Sequence, residues 1–208
     1  MPPVHFRLLL VTDRHLVRGR SLSTVLSQAI MAGVPALQLR ERDLPTGELL
    51  SLAQEIHLLT APRAVPLILN DRVDLVLALN LDGVHLRANS LPVSVVRRLI
   101  GPNRLIGIST HSVEDVQRAN HDGADYIIFG PIFDTPSKRS FGAPLGLDVL
   151  ADVCRNSMVP IFAIGGITRE RVRDVRRAGA HGVAVIGALL TCADISGAVR
   201  EFSTALQA

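Results

Sequence analysis

Aromatic side chains are scarce in this chain of 208 residues, which has no tryptophan, one tyrosine and six phenylalanines. Sequence-specific RNA binding depends largely on stacking bases against aromatic rings, so this composition argues against a nucleic-acid partner. The formal net charge of +3 agrees, because it leaves little basic excess to hold a phosphate backbone.

Cysteine and long apolar stretches are also lacking. Cys154 and Cys192 have no metal-ligand spacing. No apolar stretch reaches the length of a membrane-spanning helix, and residues 1–7 lack the basic and apolar segments of a signal peptide. These absences predict a cytoplasmic protein without a membrane partner. With 48% hydrophobic residues and no linker, residues 1–208 are expected to form one domain.

Short apolar runs rich in Val, Ile and Leu alternate with amphipathic segments along the whole chain. Apolar runs without polar alternation are typical of parallel strands buried on both faces. Eight strand–helix units predict an α/β fold, a single-domain (β/α)8 or TIM barrel, with a doubly wound open sheet as the alternative. The predicted strands are 6–12, 36–40, 66–70, 83–86, 105–109, 126–129, 160–164 and 182–186, and the predicted helices include 22–32, 46–60, 112–119, 168–178 and 195–206.

The functional side chains of such a barrel lie where the strands end and in the loops that follow. Cations and hydroxyls dominate these positions here, which suits an anionic, phosphorylated ligand. The polar residues at or after the strand ends include Arg40, Arg42, Asn70, Asp71, Ser109, His111, Thr135, Ser137 and Lys138.

A phosphate site is predicted after strands seven and eight. Gly165 and Gly166 precede a helix, so their backbone N–H groups can approach a phosphate closely. Ile186 and Gly187 end strand eight and complete the usual phosphate position of this barrel. Paired glycines also occur in ordinary tight turns, but their place between a strand and a helix favours phosphate binding.

Asp71 and His111 each have two interpretations. Asp71 could hold a divalent cation that screens a pyrophosphate, or it could cap the helix that follows. His111 could serve as an acid–base catalyst near neutral pH, or it could cap the helix region at Ser112. His85 lies inside strand four and is expected to belong to the core or to support the site.

Longer segments are more specific than any single residue. They are QLRERDL (38–44), LILNDRVDLVLAL (67–79), DGVHL (82–86), IGISTHSVEDVQRA (106–119), DGADYIIFGPIFDTPSK (122–138), PLGL (144–147) and PIFAIGGITRERVRDVRRAGAHGVAVIGAL (160–189). In this order they resemble the thiamin phosphate synthase and thiazole tautomerase family, across nearly all of residues 8–190.

The resemblance implies a barrel enzyme of thiamin (vitamin B1) biosynthesis that commonly forms a homodimer. In the synthase, a hydroxymethylpyrimidine diphosphate loses pyrophosphate, and the nitrogen of a thiazole phosphate captures the methylene carbocation. Matching positions imply Arg40 and Asn70 on the diphosphate, Asp71 as a magnesium ligand, Lys138 and Ser109 at the leaving group, and Thr135, Ser137, Gly165 and Gly166 at the thiazole phosphate.

Several positions depart from the synthase pattern. Synthases normally continue GVHLGQ and later have an aspartate where this chain has Ser90, so one of two carboxylates at the magnesium is missing. Arg87 could contact the diphosphate directly in place of the metal. Arg42 replaces the usual lysine, and Gly187 stands where synthases commonly have a serine at the thiazole phosphate.

The missing carboxylate favours thiazole tautomerase, an isomerase that moves a proton within thiazole carboxylate phosphate and lacks this magnesium site. His111 matches its catalytic histidine. Thiamin phosphate synthase, a transferase with a weakened magnesium site, is the alternative that Asp71 and the TPSK stretch favour. A barrel that only binds a thiamin-related phosphate is a third hypothesis.

Overall fold

The apolar runs close into a barrel in a computed structural model of the chain, which describes residues 3–135 and 143–207. In these residues eight parallel strands pair in chain order, and the last strand pairs with the first. The TIM-barrel prediction is therefore confirmed, and the open-sheet alternative is wrong. The strands are β1 (Leu8–Val11), β2 (Leu37–Leu39), β3 (Leu67–Asn70), β4 (Gly83–Leu86), β5 (Leu105–Thr110), β6 (Tyr126–Phe129), β7 (Ile161–Ala163) and β8 (Gly182–Val185).

Helices follow the strands in the described parts of the chain. The helix predicted at 168–178 is divided, because a 3-10 turn at Arg169–Arg171 precedes a shorter α-helix. The α-helices are α1 (Leu22–Met31), α2 (Thr46–Thr60), α3 (Val73–Ala78), α4 (Val93–Ile100), α5 (Val113–Asp122), α6 (Gly146–Asn156), α7 (Val172–Arg177), α8 (Gly187–Leu190) and α9 (Ile195–Gln207).

The helices form where apolar residues recur at helical spacing and a capping group is available. In α4, Val93, Val96 and Ile100 fall on one face and are buried, while the intervening positions include exposed residues. Ser112 caps α5, because its side chain accepts a hydrogen bond from the backbone N–H of Asp115. Gly123 ends α5 in the left-handed conformation that glycine adopts without steric cost.

Apolar side chains fill the barrel itself as well as the space between sheet and helices. Phe6, Tyr126 and Phe162 meet inside the barrel, with ring centroids 5.2–6.0 Å apart. Leu9, Ile68 and other inward residues of the strands join them in this inner cluster. The interior is therefore packed, and a ligand can enter only at the end of the barrel where polar side chains collect.

No helix in residues 3–135 and 143–207 combines the length and the apolar character needed to cross a lipid bilayer.

Candidate active site at the carboxyl ends of the strands

A buried polar layer lies directly above the apolar interior. Gln38 and Asn70 are each two residues beyond an inner-cluster residue, Ala36 and Ile68, so their side chains point into the barrel. Gln38 Nε2 donates to Asn70 Oδ1 at 3.2 Å. Gln38 Oε1 is buried and has no hydrogen-bond partner within the described residues.

His85 belongs to the same layer and holds Ser109 in place. His85 Nε2 lies 2.8 Å from Ser109 Oγ, and Nδ1 lies 3.2 Å from the hydroxyl of Tyr126. Burial, with a further contribution from the nearby Arg40 cation, lowers the pKa of His85 to about 3. The ring is therefore neutral at pH 7, and its two nitrogens can serve one as donor and one as acceptor. The predicted core and supporting role of His85 agrees with this geometry.

A second buried network fixes the point where Arg40 leaves β2. The backbone N–H of Arg40 donates to Thr12 Oγ1 at 2.8 Å, and the Thr12 hydroxyl donates to Glu41 Oε1 at 2.6 Å. Glu41 Oε2 accepts from the backbone N–H of Arg14 at 3.0 Å. Thr12 and Glu41 are buried, so the network ties the ends of β1 and β2 together without competition from water.

Three guanidinium groups, of Arg40, Arg42 and Arg87, form a cationic cluster beyond this network. Burial lowers the pKa of Arg40, and the positive charges of Arg42 and Arg87 lower it further. Neither Arg40 nor Arg42 makes an ion pair with any carboxylate in the described part of the chain. The repulsion among these cations makes the position favourable for an anion. A cavity of about 210 Å³ opens here, lined by Leu39, Glu41, Arg42, Leu44, Leu49, Asn70, Asp71, Arg72 and Arg87.

Asp71 is an acidic residue of this region, and both oxygens of its carboxylate accept hydrogen bonds. Oδ2 accepts from Arg87 Nε at 2.8 Å and also from Arg87 Nη2, while Oδ1 accepts from the Ser90 hydroxyl. Ser90 Oγ in turn accepts from the backbone N–H of Arg87 at 2.8 Å. The capping interpretation of Asp71 is wrong, because Arg72 occupies the N-cap position of α3 and no side-chain hydrogen bond caps that helix.

The residues around Asp71 do not fit the magnesium ion that the resemblance implies. Within residues 3–135 and 143–207, no group of three or more His, Cys, Asp or Glu side chains is placed to hold a metal. The Arg87 guanidinium and the Ser90 hydroxyl occupy the oxygens of the one carboxylate that could bind the ion. That a magnesium ion binds at this weakened site stays a prediction of the resemblance.

His111 is exposed beside the loop that follows β6. Its Nδ1–H donates to the carbonyl of Gly130 at 2.6 Å, which leaves Nε2 available. The ring does not cap α5, since the Ser112 hydroxyl has that role. The capping interpretation of His111 is therefore wrong.

The tandem glycines form a tight loop against the segment after β6. Gly165 and Gly166 have φ angles of 96° and 63°, in the left-handed region that favours glycine. A Cβ on Gly165 would lie 2.5 Å from Pro131 Cβ, and one on Gly166 would lie 2.6 Å from the Asp134 carbonyl oxygen. The two N–H groups have no recorded acceptor in the part of the chain that the structure describes.

The remaining predicted residues lie around this loop. Thr135 follows Asp134 directly and is half-buried, and Ile186 packs against the inner cluster. Gly187 begins α8, and a Cβ there would lie in van der Waals contact with the side chains of Leu16 and Thr191, at 3.9 and 4.0 Å. Ser137 and Lys138 lie outside the described residues. Because all strands are parallel in a closed sheet, the ends of β2, β3, β5, β7 and β8 bring the other predicted residues to one rim. Sequence reasoning assigned no role to Thr12, Gln38 and Glu41, although these residues stand at or near the ends of predicted strands one and two.

Comparison with known proteins identifies relatives of the whole barrel. A sequence model described as thiamine monophosphate synthase matches residues 8–189. The thiamine-phosphate synthase of Chloroflexus aurantiacus is 44% identical over 198 residues, covering 95% of this chain and 91% of the relative. That of Clostridium novyi is 37% identical over 200 residues, covering 96% and 98%.

Solved structures agree. Thiamine phosphate pyrophosphorylase from Pyrococcus furiosus superposes with a TM-score of 0.87 at 31% identity, covering 97% of this chain and 95% of that one. The 3-hexulose-6-phosphate synthase of Salmonella typhimurium, at 15% identity and a TM-score of 0.74, covering 97% and 99%, shares the fold alone.

These relatives correct the functional interpretation drawn from position 90. They are named for synthesis of thiamine phosphate, so they favour the transferase alternative and give no support to the tautomerase interpretation. The structure supplies a physical reason why Ser90 in place of an aspartate does not indicate a tautomerase. Asp71 is not left without a partner when the second carboxylate is absent, because Arg87 and Ser90 donate hydrogen bonds to its two oxygens.

Proposed function

The chain belongs to the thiamine monophosphate synthase family, and from this premise we propose that it joins hydroxymethylpyrimidine diphosphate to a thiazole phosphate. The bond between the pyrimidine methylene carbon and the diphosphate oxygen breaks, and pyrophosphate leaves with the electron pair. The thiazole nitrogen then donates its lone pair to the methylene carbon. The products are thiamin phosphate and pyrophosphate, and no proton transfer is needed in either step.

The cationic cluster supports binding of the diphosphate at the ends of β2 to β4. Arg40 and Arg42 offer planar guanidinium forks that suit phosphate oxygens, and neither is neutralised by an ion pair within the described residues. Asn70 lies at the end of β3, at the edge of the same cavity. Positive charge at this place stabilises the leaving group as it separates, which is the main requirement of a dissociative substitution.

Ser109 and Lys138 are proposed to act on the departing pyrophosphate. The neutral His85 ring holds the Ser109 hydroxyl through the contact between Nε2 and Oγ, so the hydroxyl does not have to be ordered when substrate binds. Lys138 is assigned from the family pattern and would add a compact positive charge.

The glycine loop after β7 is proposed to bind the thiazole phosphate. The left-handed conformation of Gly165 and Gly166 leaves their N–H groups without recorded acceptors among the described residues. Thr135 and Ser137 are assigned to the same phosphate from the family pattern, and Gly187 from its position after β8, at the usual phosphate site of this barrel. Ile186, which packs on the inner cluster, would give the thiazole ring an apolar contact beneath it.

One observation carries this proposal: two separate anion-binding features occur on one barrel rim. An isomerase acting on thiazole carboxylate phosphate binds one phosphate, and the other anion it presents is only a singly charged carboxylate. A transferase that joins a diphosphate to a monophosphate needs both, and the cationic cluster at the ends of β2 to β4 supplies the second.

Incubation of the purified protein with both substrates tests the proposal. We expect equal amounts of thiamin phosphate and pyrophosphate, separated by chromatography and measured over time. Controls that omit one substrate should give neither product. Isomerisation of thiazole carboxylate phosphate without thiamin phosphate formation would contradict the proposal, and so would the absence of both reactions.

A further inference from the structure

The loop after β4 holds a positive charge where the synthase pattern holds a metal site. Arg87 donates to Asp71 Oδ2 from Nε and Nη2, and its own backbone N–H donates to Ser90 Oγ. The Ser90 hydroxyl donates to Asp71 Oδ1 and so completes a closed cluster of three residues. The side chain of Asp71 is 21% exposed and that of Arg87 is 43% exposed, and both residues line the cavity.

Serine at position 90 and arginine at position 87 depend on each other in this arrangement. The hydroxyl of Ser90 serves as donor to Asp71, and a carboxylate at position 90 would face that of Asp71 with no proton between them. Such a pair needs a cation to hold it together. With Ser90 in place, Asp71 needs only one positive charge, and Arg87 supplies it. Two carboxylates with Mg²⁺ and one carboxylate with one guanidinium have the same net charge.

Arg87 also keeps donors free for a ligand. A guanidinium has five N–H groups, and Asp71 takes one from Nε and one from Nη2. Nη1 makes no recorded hydrogen bond in residues 3–135 and 143–207. Arg72, which also lines the cavity, is already bound to Asp74 through Nε at 2.9 Å and Nη2 at 2.6 Å.

We propose that Arg87 binds the diphosphate of the substrate directly, in the place of a magnesium ion held by two carboxylates, so that the diphosphate binds without a divalent cation. Asp71 is then a positioning residue that aims the guanidinium, and Ser90 fixes Asp71. The proposal rests on the proposed function for the identity of the anion. It makes Arg87, with Arg40 and Arg42, the group that neutralises the leaving pyrophosphate.

Calorimetric titration of the full chain with inorganic pyrophosphate tests the proposal without requiring turnover. With EDTA present, the wild type is expected to bind pyrophosphate, and Arg87→Gln should weaken binding by about tenfold or more, as expected for a lost charge-assisted hydrogen bond. Arg177→Gln is the matched control, because Arg177 is an exposed arginine on α7, and it should bind as the wild type does.

A double variant, Arg87→Gly with Ser90→Asp, tests whether the Arg87 guanidinium stands in the place of a magnesium ion. It restores the residues of the synthase pattern, so its pyrophosphate binding should be weak in EDTA and at least about tenfold stronger with Mg²⁺, while the wild type should change little. Circular dichroism establishes that each variant is folded. If Arg87→Gln does not fold, Arg87→Lys replaces it and should also bind more weakly, because lysine lacks the planar fork.

The outcomes separate this proposal from the proposed function. Wild-type protein that binds pyrophosphate only with Mg²⁺, or Arg87→Gln protein that binds as well as wild type in EDTA, overturns the role of Arg87 while synthase activity still stands. Protein that binds pyrophosphate through Arg87 but forms no thiamin phosphate with any divalent cation overturns the function and, with it, the assignment of the anion as substrate.

Discussion

At the scale of single residues, His85 shows how burial decides chemistry. Its ring is enclosed between Ser109 and Tyr126 and lies near the Arg40 cation, so the charged form is disfavoured. An imidazole that stays neutral well below pH 6 cannot supply a proton at physiological pH. It can hold the Ser109 hydroxyl in one orientation, which is a positioning role.

The buried state of His85 predicts a specific acid sensitivity. A histidine in the unfolded chain has a pKa near 6.5, while burial lowers the pKa of His85 to about 3. Between these values the unfolded state binds more protons, so stability is complete above pH 6.5 and falls as the pH falls toward 3. Between pH 7.5 and 5.5, the wild type should lose about 1.4 kcal/mol more unfolding free energy than His85→Gln.

Urea unfolding at the two pH values checks this expectation. The exposed His5 provides the control, because His5→Gln should show the same pH difference as the wild type. Equal losses for His85→Gln and wild type would show that the buried ring does not couple folding to pH.

Residue-scale reasoning from the sequence succeeded where a polar side chain stands at a strand end. Arg40, Asn70 and Ser109 were found that way, because the barrel rule assigns function to those positions. The Asp71–Arg87 ion pair was not found, because the loop after β4 has no regular periodicity from which its path could be predicted. Sequence reasoning counted Ser90 as a lost ligand, whereas the structure shows it as a hydrogen-bond donor.

At the scale of elements, the junction between β5 and β6 depends on one missing side chain. Gly107 and Tyr126 are paired across these strands, and a Cβ at Gly107 would overlap the tyrosine ring. Tyr126 is fully buried and contacts Phe6 and Phe162 at the centre of the barrel. The ring has no room to retreat, so glycine is required for packing here.

Gly107→Ala should therefore lower the free energy of unfolding by about 1–3 kcal/mol, the usual cost of overfilling a packed core. Gly47→Ala is the matched control. Gly47 lies in α2 with no atom near its Cβ position, so alanine there should leave stability unchanged or raise it by up to about 1 kcal/mol. Urea unfolding compares the two variants. Equal changes in the free energy of unfolding would show that the Tyr126 ring can move to make room for the added methyl group.

Element existence was predictable, but element ends were less so. The apolar runs located every strand, since a strand buried on both faces requires continuous apolar residues. The predicted ends of 83–86 and 126–129 agree with β4 and β6, and 105–109 is one residue shorter than β5 at Leu105–Thr110. The other five predictions are too long, as for 6–12 against β1 at Leu8–Val11. The helix predicted at 168–178 begins instead as a 3-10 turn, a difference in hydrogen bonding that apolar spacing does not reveal.

At the scale of the whole molecule, the closed barrel divides its rim into two regions of different chemistry. The ends of β2 to β4 carry the guanidinium groups of Arg40, Arg42 and Arg87, and the loop after β7 carries the tandem glycines. A cationic region suits a highly charged diphosphate, while backbone N–H groups suit a monophosphate. The fold brings distant sequence segments together, which a list of motifs alone does not establish.

Steady-state rates with each substrate varied in turn test this division most directly, using Arg40→Gln and Gly166→Ala. Losing a charge-assisted hydrogen bond should raise the KM of Arg40→Gln for the pyrimidine diphosphate by about tenfold or more, with the KM for the thiazole phosphate changed by less than about threefold. Gly166→Ala should show the reverse pattern. Equal changes in both KM values for either variant, or an interchange of the two patterns, would contradict a rim with two separate anion sites.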